Sequence, residues 1–158
     1  MLVWRIARRR YVALDGEGGR RYGGRWTPVG RAAVYTASSL PLATLEALVH
    51  FDSDLVPRDL VAYTIDVPDD LAREVVSLDA LADGWRTNLA LCLPWGAAWL
   101  DRRTTPILVV PSAVVPAHAN MILDPRHPDI HRITVVHTEP YAFDPRLLKG
   151  KGRRPGAR

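Results

Sequence analysis

Three side chains of reactive or ligand-binding type stand close together in the chain: Arg25, Tyr35 and Glu46. Arg25 follows Gly23 and Gly24. A glycine pair lets the backbone approach a ligand or turn through positive φ. A guanidinium grips a pyrophosphate through two parallel hydrogen bonds. The pairing is neither a dinucleotide fingerprint nor a phosphate loop of the GxxxxGK type. Glu46 lies beside Ala43 and Ala47, whose small side chains leave room around a carboxylate, and His50 one turn on can pair with it. An isolated helix glutamate is ordinarily solvated; the arginine and tyrosine just upstream argue for a shared site.

These residues need elements to hold them. Ala33-Val34-Tyr35-Thr36 is a β-branched and aromatic run, which predicts a strand. Leu42 to Leu48 is rich in Leu and Ala and predicts a helix, with Ser38 or Ser39 as N-cap and Pro41 in its first turn. Leu42, Leu45, Leu48 and Val49 form the expected core stripe, with Glu46 at its side. Alternation over Leu2 to Ala7 predicts a strand with Leu2, Trp4 and Ile6 on one face and Arg5 on the other. Ile107-Leu108-Val109-Val110 reads as a buried strand, ended by Pro111. Ser112 then stands at a strand end, where rigid scaffolds hold binding groups. No His/Asp pair and no Gly-x-Ser-x-Gly elbow accompanies it, so it reads as a hydrogen-bonding residue of a pocket.

Further strands are expected at Leu60 to Val67, Asn120 to Leu123 and Arg132 to His137, and a short helix at Pro94 to Leu100. Asp69 to Val76 fits either a short helix or a strand. Arg8 to Arg10 and Arg20 to Arg21 bracket a glycine-rich stretch, Asp15 to Gly19, that reads as a loop. Trp26, Trp95 and Trp99 suit core packing. The histidines fit no zinc spacing and no metal site is expected.

Taken in order, Gly23-Gly24-Arg25-Trp26, Val34-Tyr35-Thr36, Leu45-Glu46 and Val110-Pro111-Ser112-Ala113-Val114 resemble the RES family. Its members are the toxins of RES–Xre type II toxin–antitoxin pairs. The resemblance runs from Val3 to Leu147. It implies an α/β (α+β) fold: a single domain with a bent, split mixed β-sheet and surrounding helices, similar to the ADP-ribosyltransferase fold. It implies cleavage of the nicotinamide–ribose bond of NAD, by hydrolysis or phosphorolysis, with transfer of ADP-ribose to a cellular protein as the alternative. Arg25, Tyr35 and Glu46 are then the catalytic set, and Arg5, Arg25, Tyr35 and Ser112 bind substrate. NAD is substrate, and no cofactor is implied. The implied partner is a small Xre-type antitoxin, with a higher-order assembly left open, and the implied location is the cytoplasm. Where many family members resemble Pro-x-Glu-x-Asn-x-Ile-Asn-Pro, this chain has Pro116 to Pro125, and it departs from the pattern at His118 and Asp124.

Composition sets the outer limits. The 158 residues suit one domain with a real core. A single cysteine, Cys92, allows no internal disulfide and fits a reducing compartment. No apolar run reaches the roughly 20 residues that cross a bilayer. The net charge of +4 misleads, because Lys149, Lys151, Arg153, Arg154 and Arg158 lie in a tail without acids. Without that tail the balance is −1, which argues against a nucleic-acid-binding module. The resemblance implies an NAD-binding domain over residues 1–148, and composition predicts a disordered basic tail over 149–158. Deleting the tail is expected to leave the melting temperature and NAD turnover unchanged; a large loss of either would show that it packs on the domain.

Overall fold

The computed structural model describes residues 1–11, 14–51 and 56–148. Seven strands form one mixed sheet: β1 (Leu2–Arg8), β2 (Val34–Ala37), β3 (Leu60–Asp66), β4 (Arg73–Val75), β5 (Ile107–Pro111), β6 (Ala119–Leu123) and β7 (Thr134–Pro140). Their order is β4-β5-β6-β2-β1-β3-β7. Only β4 and β5 run parallel, and the other neighbours are antiparallel. Among the described residues four α-helices accompany them: α1 (Glu17–Tyr22), α2 (Leu40–Leu48), α3 (Leu93–Arg102) and α4 (Pro145–Leu148). The fold is α+β, one domain, as the residue pattern and the resemblance led us to expect. The tail from Lys149 lies outside the described residues.

The sheet is nearly divided. β1 and β3 pair along seven residues, from Leu2↔Asp66 to Arg8↔Leu60. β1 and β2 share one pair, Trp4↔Ala37. Strands that part after one pair leave backbone groups needing other partners and open a gap between the two halves. Helix α2 covers that junction: Leu42 and Ala43 pack with Ala37, Trp4, Ile6 and Val115. On the other face Val3, Val34, Tyr63, Ile65, Ile107 and Leu123 belong to the main core. Each such aliphatic residue, once buried, contributes about 1.5–3 kcal/mol.

Helix α2 begins as the sequence dictates, with Ser39 Oγ accepting from the Leu42 N–H at 3.3 Å. Its buried face differs from the expected stripe. Leu42, Ala43 and Leu48 are buried, whereas Leu45 and Val49 are 37% and 55% exposed. The helix ends at Leu48, so Val49 lies beyond its last turn. The face is turned toward the two small alanines, which bring Glu46 inward.

Within Asp69 to Val76 only Arg73–Val75 is strand, β4, and the stretch around Asp15 to Gly19 differs from the expected loop. Glu17 to Tyr22 is helical because the Glu17 carboxylate accepts from Arg20 and Arg21, one turn on. Those bonds, that from Arg20 foremost, hold the Glu17 carboxyl down to about 2. β7 begins two residues later than expected, since Pro128–Arg132 forms a 3-10 turn. It is an edge strand, exposed along its length.

In α3, Trp99 is fully buried and Trp95 is 40% exposed, so only the first fills the core. Gly96, between them, packs directly on the Trp26 carbonyl, and a methyl group there would overlap that backbone oxygen. Gly96→Ala is expected to destabilise the fold by about 1–3 kcal/mol, because backbone cannot yield as a flexible side chain can. Thermal unfolding measures it, and an unchanged midpoint would show that α3 shifts freely.

Candidate active site

Glu46 points from α2 toward the far half of the sheet. Its Oε1 accepts two short hydrogen bonds, from Ser112 Oγ at 2.6 Å and from Asn120 Nδ2 at 2.6 Å. Ser112 is fully buried just after β5, and Asn120 lies in β6, paired with Ala37 and Val110. Ser112 Oγ also accepts from the Val114 and Val115 N–H groups at 3.1 and 2.9 Å. Its acceptor capacity is thereby used, so its proton goes to Glu46. This bonding ties Ser112 to the Glu46 carboxylate and to the turn that follows β5. Among the described residues Glu46 Oε2 accepts no hydrogen bond. His50, the partner suggested by spacing, is exposed past the end of α2 and makes no bond to Glu46.

Tyr35 stands in β2 opposite Ile122, on the same sheet face as Asn120. Its hydroxyl lies 2.8 Å from Thr27 Oγ1 and accepts from the Trp26 N–H at 3.3 Å. Burial pushes the phenol up, opposed chiefly by the bond to Thr27. The Gly23-Gly24 pair is required here. Gly23 has φ 65°, in the region that favours glycine, and caps α1 by donating to the Gly19 carbonyl at 2.7 Å. Gly24 lies against the Tyr35 ring so closely that any Cβ would collide with it.

Arg25 follows, anchored by an Nη1 bond to the Trp85 carbonyl at 2.8 Å. Trp85 is fixed by Trp26, with ring centroids 6.0 Å apart. The Cys92 thiol donates to the same carbonyl at 3.4 Å. Burial raises that thiol above its ordinary value, with Arg25 opposing. Beside this anchor a cavity of about 590 Å³ opens, bounded by Trp85, Arg86, Ala113 and Pro116. Most of its lining comes from residues 78–87, and none of Arg25, Tyr35, Glu46 or Ser112 lines it. Arg86 Nε closes one wall by donating to the Ala113 carbonyl at 2.9 Å.

Arg5 stands apart from this network. It follows the single β1–β2 pair, opposite Tyr63 on β3 and near Gly18 of α1. Among the described residues no hydrogen bond joins it to Glu46, Tyr35, Ser112 or Arg25. Burial lowers its guanidinium from the usual value, opposed by Tyr63 and Asp15. The two departures from the family pattern have different positions. The His118 side chain is exposed, and only its backbone serves the site, its carbonyl accepting from the Ser112 N–H at 2.9 Å. Asp124 is buried, and its Oδ1 caps the turn by accepting from the Arg126 N–H at 2.9 Å. Among the described residues no group of three or more His, Cys, Asp or Glu side chains could hold a metal ion.

Asn120 is the site residue that sequence reasoning passed over. The available signal was its place at the start of a short strand, within the compared Pro-to-Pro segment.

The chain as a whole is similar to known proteins. Residues 2–144 match the RES domain family. A protein of Photorhabdus laumondii named Toxin Res is 38% identical over 156 residues, covering 96% of this chain and 99% of its own. A protein of Sphingobium named Prs ADP-ribosylating toxin is 38% identical over 154 residues, covering 92% and 96%. A Toxin Res of Pseudomonas putida is 37% identical over 150 residues, covering 94% and 100%. The fold is similar to that in the crystal structure of the M. tuberculosis MbcT-MbcA toxin-antitoxin complex, with TM-score 0.75, 21% identity and 94% and 86% of the two chains covered.

The Tyr35 hydroxyl has a structural duty that can be measured. Tyr35→Phe leaves the Trp26 N–H and the buried Thr27 hydroxyl without their partner. A loss of about 1–3 kcal/mol is expected in urea unfolding; a change within about 0.5 kcal/mol would show that water replaces the bond.

Proposed function

Because this chain belongs to the RES domain family, we propose that it is the toxin of a type II toxin–antitoxin pair and depletes NAD by cleaving its nicotinamide–ribose bond. The observation that carries the reading is the Glu46 carboxylate, part-buried, with both donors on Oε1 and none on Oε2. Cleavage at a glycosidic carbon passes through an oxocarbenium-like state. A fixed negative charge beside that carbon stabilises the developing cation without reorganising. Oε2 is the oxygen left to do so, or to hold a ribose hydroxyl. Tyr35 would stack on the nicotinamide ring, and Arg25, steadied by the Trp85 carbonyl, would take the pyrophosphate. Arg5 lies opposite Tyr63, on the other face of β1 from Trp4, and takes no part in this reading. Nicotinamide leaves readily, so the reading needs no strong general acid. The acceptor is water or phosphate.

A second reading is favoured by the Sphingobium relative, whose name describes an ADP-ribosylating toxin. The same bond breaks, and a protein side chain takes the ADP-ribose. Incubation with NAD, with and without phosphate and cell extract, separates the two: free nicotinamide without extract supports cleavage, and labelled protein only in extract supports transfer. The partner in either case is a small Xre-type antitoxin, in line with the toxin-antitoxin complex of the similar fold. The site of action is the cytoplasm, where NAD is consumed.

Glu46→Gln keeps size and removes charge. It is expected to slow nicotinamide release by about 100- to 1000-fold, or about 2.7–4 kcal/mol, with an unchanged circular dichroism spectrum. Equal rates in the two folded proteins would remove Glu46 from the chemistry.

A further inference from the structure

Asn120 carries an oddity that the reading above does not use. Its Nδ2 donates to Glu46 Oε1 at 2.6 Å, while its Oδ1 is buried with no hydrogen-bond partner among the described residues. A buried acceptor left unpaired costs about 1–3 kcal/mol. The amide could turn over and leave its nitrogen unpaired instead, but Oδ1 would then face a carboxylate oxygen, acceptor against acceptor. Its orientation is therefore dictated by Glu46. The backbone allows no retreat, because Asn120 is held in register on both sides, by Ala37 of β2 and Val110 of β5. Ser112 reaches the same Oε1 from the end of β5.

We propose that Asn120 is a positioning residue: with Ser112 it pins Glu46 Oε1 and so selects Oε2 as the oxygen presented to the substrate. This rests on the reading of Glu46 as the charge that stabilises the sugar cation. Two donors on one oxygen fix the carboxylate plane as well as its place, since rotation about the last side-chain bond would break both. A carboxylate held by Ser112 alone could swing about that contact. The unpaired Oδ1 is the stability given up for this restraint.

The test compares wild type, Asn120→Ala and Asn120→Asp in nicotinamide release from NAD, with melting temperatures. Asn120→Asp keeps the shape and replaces the donor by a second carboxylate oxygen, so packing alone would tolerate it. Both variants are expected to lower kcat by about 100-fold, the scale of a misplaced catalytic group, with KM for NAD within about twofold. An unchanged kcat in either folded variant overturns the proposal, as does a raised KM at constant kcat. Should Asn120→Asp fail to fold, Asn120→Ser replaces it under the same criteria. If wild type releases no nicotinamide, the NAD reading fails by itself. The positioning role is then judged on crystal structures of wild type and Asn120→Ala. A displaced Glu46 carboxylate supports it, and an unmoved one overturns it.

Discussion

A carboxylate carried on one element and held by two others is the constraint on which this structure turns. A charge taken partly out of water must be met by hydrogen bonds or it costs several kcal/mol. Glu46 is met from β6 and from the turn after β5, so α2, β5 and β6 are mutually fixed. The same helix packs on Trp4 and Ile6 of β1. It thus spans the place where the sheet halves share one residue pair. The polar contacts and the apolar ones therefore fix the same helix against both halves of the sheet.

The other side of the site is built by close packing. Trp26 lies on Gly96 of α3 and against Trp85. That stack presents the Trp85 carbonyl to Arg25. Tyr35 then locks the glycine turn from below, with its ring filling the space a Gly24 side chain would need. A long cationic side chain is thereby held at its guanidinium, which lowers the entropy it must lose on gripping a ligand.

Much of this was legible in the residues. The helix carrying Glu46, the strand carrying Tyr35 and the strand end carrying Ser112 each have strong local signals: a serine cap, a β-branched run, an apolar run closed by proline. What stayed hidden is non-local. Asn120 meets Glu46 across 74 positions of sequence, through the pairing of β2 with β6, and no local pattern encodes that meeting. The turned face of α2 was misjudged because Leu45 and Val49 fit the period, while the alanines that decide the approach of the helix carry a weaker signal. The glycines of α1 resemble loop residues, yet Gly19 lies so close to the Ala33 backbone that no larger residue fits there.

Cys92, the sole cysteine in the chain, sits beneath the Arg25 anchor with no exposed surface. Oxidants and alkylating agents react with the thiolate, and with one they can reach. Burial opposes both conditions here, although a guanidinium stands beside the sulfur. The carbonyl shared by Arg25 and Cys92 is thus insulated from oxidative chemistry, and the arginine keeps its footing under conditions that would modify an exposed sulfur at the same spot.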